Sequence, residues 1–130
     1  MAKTHYNPVG WFEIYVDDIR RAKKFYEALL QMKLEELPTP SEDTSFHMYT
    51  FPSDMNNPGS GGAIVKMEGI KAGSNSTIVY FVSEDCSIEE KRIEAAGGKI
   101  FKSKMSIGDY GFIVLATDTE GNMFGLHSLK

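Results

Sequence analysis

Apolar and polar residues alternate along "GWFEIYV" (residues 10–16). Phe12, Ile14 and Val16 share one face, and Trp11, Glu13 and Tyr15 share the other, which predicts a strand. In "DDIRRAKKFYEALLQM" the period changes: Ile19, Ala22, Tyr26, Leu29 and Leu30 recur at helical spacing. Asp17 or Asp18 can cap that helix by accepting its first free amides. "LPTPSED" carries two prolines and predicts a loop. "SFHMYTF" alternates again as a strand, "PSDMNNPGSGG" is rich in turn formers, and "AIVKM" follows as a further strand.

From about residue 76 the order begins again. "STIVYFV" predicts a β-branched and aromatic strand. "SEDCSIEEKRIEAAGG" predicts a helix, with Ser83 or Asp85 as cap and Gly97 or Gly98 as terminator. "KIFKSKM", "GFIVLATD" and "MFGLHSL" read as strands, the last two joined by the turn "DTEGN". An offset of 66 residues lays Trp11 on Thr77, Val16 on Val82, Lys33 on Lys99 and Leu34 on Ile100. That is too long for a solenoid unit and points to internal duplication. The expected fold is α+β, with two tandem βαβββ modules forming a curved, partly closed mixed sheet and the helices outside. The chain reads as one domain over residues 1–130, with module 1 at about 7–70 and module 2 at about 74–130. Small ligands favour the cleft where such modules meet.

Composition narrows the partners. A formal charge of −4 without a basic run argues against a nucleic-acid backbone. No apolar run is long enough to span a membrane and no export signal is visible, so a cytoplasmic protein is expected. The single cysteine, Cys86, rules out an internal disulfide and any multi-cysteine zinc site. Its acidic neighbours Glu84, Asp85, Glu89 and Glu90 oppose a thiolate.

"FEIYVDDIRRAKKFYEALLQMKL", "AAGGKI" and "DTEGNMFGLHS" together resemble the vicinal-oxygen-chelate superfamily of glyoxalase, bleomycin-resistance and extradiol-dioxygenase proteins. The likeness runs over nearly the whole chain. It implies a homodimer, a small-molecule ligand and, in the metal enzymes, ligands on the first and last strands of each module. Those ligand positions fall here on Trp11, Thr77, Gly125 and either Ile64 or Lys66, so the usual metal is not expected. Gln31 stands where the family usually places a glycine after the first helix, which predicts a helix end without a left-handed residue.

Alternation carries the reading into the cleft. If Trp11 and Gly125 face it, so do Glu13 and His127, with Tyr15 beside them and open room at Gly125. A carboxylate and an imidazole there suit proton abstraction and return beside a carbonyl, with Glu13 and His127 as acid and base. Trp11, Tyr15, Thr77 and Tyr110 are the candidate ligand contacts, Tyr110 from the glycine-flanked loop "SIGDYGF". The same groups would equally hold an amine or heterocycle without reaction, and a structural role for Glu13 or His127 is the competing reading. No cofactor is expected. A rebuilt metal site from His47, His127 and Glu13 is the alternative, and "GSGG" (59–62) reads as a loop at the cleft rim. The expected function is therefore binding of a small carbonyl-containing or aromatic molecule, by an isomerase or lyase or by a sequestering protein.

Overall fold

The computed structural model describes residues 9, 11–38, 46–54, 56–73 and 77–130. Most of "LPTPSED" and two residues of "NST" lie outside them. Strand β1 (Trp11–Tyr15) leads into helix α1 (Ile19–Leu30), then β2 (Glu35–Glu36), β3 (Phe46–Thr50) and β4 (Gly61–Met67). The second half repeats this with β5 (Val79–Val82), α2 (Cys86–Ala96), β6 (Lys99–Ser106), β7 (Phe112–Thr117) and β8 (Met123–Ser128). A single 3₁₀ turn, Gly108–Tyr110, separates β6 from β7. The strands form two four-stranded mixed sheets, ordered β1-β4-β3-β2 and β5-β8-β7-β6. In each, the first strand is an edge that runs parallel to the last. This is the expected α+β pair of βαβββ modules, in curved sheets that do not close into a barrel.

The alternation read in β1 is the one that packs. Ile14 and Val16 join α1 residues Ala22, Phe25, Tyr26 and Leu29 in a core that also takes in Ile93, Val114, Phe124 and Leu126 of the second module. Each sheet therefore has a helix face and a cleft face. Rings of Phe12, Phe25, Tyr26, Phe51, Phe81 and Phe124 stack through this core at centroid separations of 5.0–6.0 Å. No described helix is long and apolar enough to cross a membrane.

Asp18 is the cap of α1, accepting from the Arg21 amide at 3.1 Å. Asp85 caps α2 through the Ser87 amide, and its carboxyl is held well below the usual carboxylate range by the Ser87 hydroxyl and Lys104. Gly97 ends α2 at φ 107°. Gln31 corrects the sequence reading: it does adopt the left-handed conformation, at φ 55° and ψ 47°, and its amide donates to the Ala28 carbonyl at 2.8 Å. That bond caps a free helix carbonyl and offsets the strain of a side chain there. Gln31→Gly should therefore stabilise the fold only modestly, by up to about 1 kcal/mol, which thermal unfolding would show as a rise of a few degrees.

The module offset also needs correction. The capped helix starts at Asp18 and Asp85 stand 67 apart, whereas the helix ends at Gln31 and Gly97 stand 66 apart, because α2 is one residue shorter. Before the helices an offset of 66 slips the strands by one residue, and a one-residue slip exchanges the faces. It laid buried Val16 on Val82, which is 87% exposed. The counterpart of Trp11 is Ile78 rather than Thr77, and the counterpart of Glu13 is Tyr80.

Candidate functional site

A cavity of about 860 Å³ lies between the edge strands β1 and β5. Trp11, Glu13 and Tyr15 reach it from one strand, Tyr80 and Val82 from the other. Phe12, Tyr26 and Phe81 line it from the core side. Pro58, Gly59 and Ser60 border it, with Lys71 and Gly73 of the inter-module link and Asn122 and Met123 at the start of β8. Thr77 also lines it. The "GSGG" segment divides: Gly59 and Ser60 are rim, while Gly61 and Gly62 begin β4.

Glu13 is the one carboxylate among the described residues that line the cavity. Its two oxygens are held separately: the Trp11 indole N–H donates to Oε2 at 3.3 Å and the Tyr15 hydroxyl to Oε1 at 2.8 Å. The three side chains can meet because alternate residues of one strand share a face. Hydrogen bonding to Glu13 and partial burial both raise the Tyr15 pKa, so the phenol keeps its proton and remains a donor. Each Glu13 oxygen retains a lone pair for a ligand.

His127 is placed differently. It pairs with Val82 in the parallel register of β5 and β8, on the cleft face of the second sheet, but it does not line the cavity. Its Nε2 lies 2.7 Å from the Tyr110 carbonyl, an arrangement in which the ring donates. Tyr110 is 76% exposed and also outside the cavity. Of the sequence candidates, Trp11, Glu13, Tyr15 and Thr77 are thus brought together, whereas His127 and Tyr110 are brought to each other.

The space expected at Gly125 is filled. Tyr80 stands opposite Gly125, and a Cβ there would come within 2.4 Å of the Tyr80 ring. Sequence reading missed Tyr80 because the one-residue slip turned it away from the cleft. Aligning the aspartates that cap the two helices would have found it.

The divalent metal implied by the resemblance does not fit these residues. Register pairs Glu13 with Ala63 and Tyr80 with Gly125, so the corrected inward positions are Trp11, Ala63, Ile78 and Gly125. None offers a metal donor. Ile64 is a core residue on the opposite face, and Lys66 follows it. Nor does the rebuilt site assemble: His47 pairs with Lys66 and points away from the cleft face that carries Met48 and Val65. Among the described residues no group of three or more histidine, cysteine, aspartate or glutamate side chains gathers.

One end of the cavity is locked by the turn "DTEGN" (118–122), which sequence reading took only as a turn. Glu120, buried, accepts the Asp17 and Asp18 amides at 3.0 and 2.8 Å and the Arg21 side chain at 2.7 Å. Asp118 accepts the Tyr26 hydroxyl at 2.6 Å. Asn122 donates to the Tyr15 carbonyl at 3.0 Å and accepts from the Gly73 amide at 2.7 Å. Three residues of module 2 thereby fix the end of β1, the start of α1 and the link between modules.

Over residues 8–126 the chain matches the family model described as the Glyoxalase/Bleomycin resistance protein/Dioxygenase superfamily, and it belongs to that superfamily. Among solved structures it is similar to glyoxalase I from Zea mays, with a TM-score of 0.73 at 20% identity. That similarity covers 93% of this chain but 46% of the maize protein, so the chain spans about half its length. A superfamily member from Sphaerobacter thermophilus DSM 20745 aligns over 95% of this chain and 98% of its own, with a TM-score of 0.66 and 21% identity. A glyoxalase-related enzyme from Fulvimarina pelagi aligns over 95% and 88%, with a TM-score of 0.63 and 13% identity. No curated protein sequence matches the chain. At these identities the structural likeness speaks for the fold alone.

Proposed function

We propose that the chain binds a small organic molecule with an ammonium or similar cationic group beside an apolar body, in the cleft between β1 and β5. The observation that carries this reading is Glu13, the one carboxylate among the described residues of an otherwise largely aromatic and aliphatic wall, held open by Trp11 and Tyr15. A carboxylate with spare lone pairs next to ring faces attracts a cation by charge and by the ring quadrupole together. The function is sequestration of that molecule. Trp11 is the only tryptophan and lies in the wall, so its fluorescence reports binding directly.

Glu13→Gln should weaken binding of an aromatic ammonium probe by about 10- to 100-fold, the scale of one desolvated charge pairing, and Trp11→Ala by about tenfold. Affinity unchanged in Glu13→Gln, or equal affinity for a neutral isostere of the probe, would sink the reading. Isothermal titration supplies the Kd for the Trp11 variant.

The protonated Tyr15 hydroxyl beside Glu13 favours a second reading, in which Glu13 takes and returns a proton at a carbon next to a carbonyl. Turnover lost in Glu13→Gln with carbonyl-ligand affinity retained would carry that reading over sequestration. Exposed Phe101 and Met105 on the edge strand β6 give a second copy apolar surface to cover, in keeping with a homodimer. Sedimentation at twice the 14.5 kDa chain mass would be the expected result.

A further inference from the structure

Three aromatic residues that line the cavity stand beside glycines on the neighbouring strand, two of them on the cleft face. On β5, Tyr80 pairs with Gly125, and its ring covers that glycine so closely that an added Cβ would sit 2.4 Å from two ring carbons. On β1, Trp11 pairs with Gly61, where an added Cβ would lie 3.5 Å from the indole. Both rings line the cavity, one from each edge strand, and both stay about half exposed, at 44% and 47%. A third aromatic–glycine pair, Phe12 with Gly62, faces the core. There the ring's task is packing. Tyr80 covers its glycine as closely but leaves a ring face to the cavity, while Trp11 lies beside Gly61 at ordinary contact distance with its ring likewise half exposed.

Resting on the proposed binding function, we infer that Tyr80 and Trp11 are two platforms for a flat, unsaturated ring in the ligand, and that Gly125 is a specificity determinant because only glycine lets Tyr80 lie down. The ligand class is then a planar aromatic cation, with its ring received by Trp11 and Tyr80 and its charge at Glu13. A saturated cation of the same size meets the same carboxylate but gains no ring–ring contact. Gly125 is free of positive φ, so a side chain there is barred by the Tyr80 ring and not by the backbone. Any larger residue displaces the ring into the cavity. A ring covering a strand glycine is also a purely structural device, which makes the opposite prediction: removing Tyr80 would cost stability and leave ligand preference untouched.

The test compares benzyltrimethylammonium with (cyclohexylmethyl)trimethylammonium, which differ in the flatness and π-electrons of the ring, read by Trp11 fluorescence on the whole chain. The wild type should bind the aromatic probe about tenfold more tightly, the scale of two aromatic pairings. Tyr80→Ala should narrow the difference to about threefold, the share of the remaining Trp11 platform, still with Glu13-dependent binding. Gly125→Ala should do the same. Should that variant fail to fold, Tyr80→Ala/Gly125→Ala removes the obstruction and is expected to fold and bind as Tyr80→Ala does. Equal affinities in the wild type would overturn the aromatic platform while leaving cation binding standing, as would a preference that survives undiminished in Tyr80→Ala. Neither probe binding at millimolar concentration would overturn both this inference and the function on which it rests.

Discussion

Glu120→Gln should destabilise the fold by about 3 kcal/mol at neutral pH, and by progressively less as the pH falls from about 5 towards 2. Burial resists ionisation of Glu120. The Arg21 guanidinium, the Asp18 amide and the Thr119 hydroxyl outweigh it and lower the pKa to about 2. The folded pKa lies below the unfolded value of 4.5, so the charged form is the one the fold favours. Its contribution is complete above the unfolded pKa and is lost as the pH falls through the folded one. Urea unfolding at several pH values gives the difference directly. A deficit that stays constant with pH would assign the cost to shape and lost hydrogen bonds instead of charge. Arg21 is about half exposed on its side-chain surface, so the two backbone amides should matter more than the ion pair, and Arg21→Met should cost about 1 kcal/mol or less.

The same residues show what was legible in the sequence. Ile14, Val16, Ala22, Tyr26 and Leu29 follow periods of two and 3.6, and those periods report burial, so β1, α1 and the duplicated order could be read. Cap identity narrowed to neighbouring aspartates because either could reach the first amides. Two further features depend on three dimensions. The one-residue difference between the helices is invisible to an ungapped offset, and it alone turned Tyr80 away and put Thr77 in the place of Ile78. Alternation places His127 on the cleft face, yet it does not say how far across the sheet a strand lies. β8 lies one strand in from the edge strand β5, and of its residues only Met123, at its start, lines the cavity, so His127, four residues further along the same face, falls outside it. The Glu120 lock spans about a hundred residues of sequence and has no periodic signature.

Phe81→Ala is the other substitution expected to act strongly, at about 3 kcal/mol, within the usual range for a large aromatic cut from a core. Phe81 belongs to the first strand of module 2, yet its ring neighbours Phe12, Tyr26 and Phe51 come from module 1, at 6.0, 5.8 and 5.6 Å. Phe124, at 6.0 Å, is the neighbour from its own module. The ring is therefore both a joint between modules and part of the cavity's core-side wall. Because the joint is shared, the variant should still unfold in one transition, with Trp11 fluorescence in module 1 and far-ultraviolet circular dichroism giving the same midpoint. Two separate midpoints in the wild type would mean that the modules fold as independent units and that this ring contact couples them little. Its loss should also deepen the cavity beneath Glu13 and Tyr80, so ring-bearing ligands should bind several-fold more weakly in a folded Phe81→Ala protein, since a platform without backing holds its rings less firmly. Stability and affinity falling together here, but affinity alone falling in Glu13→Gln, is the pattern expected of a site whose recognition groups project from two edge strands while its floor is the core itself.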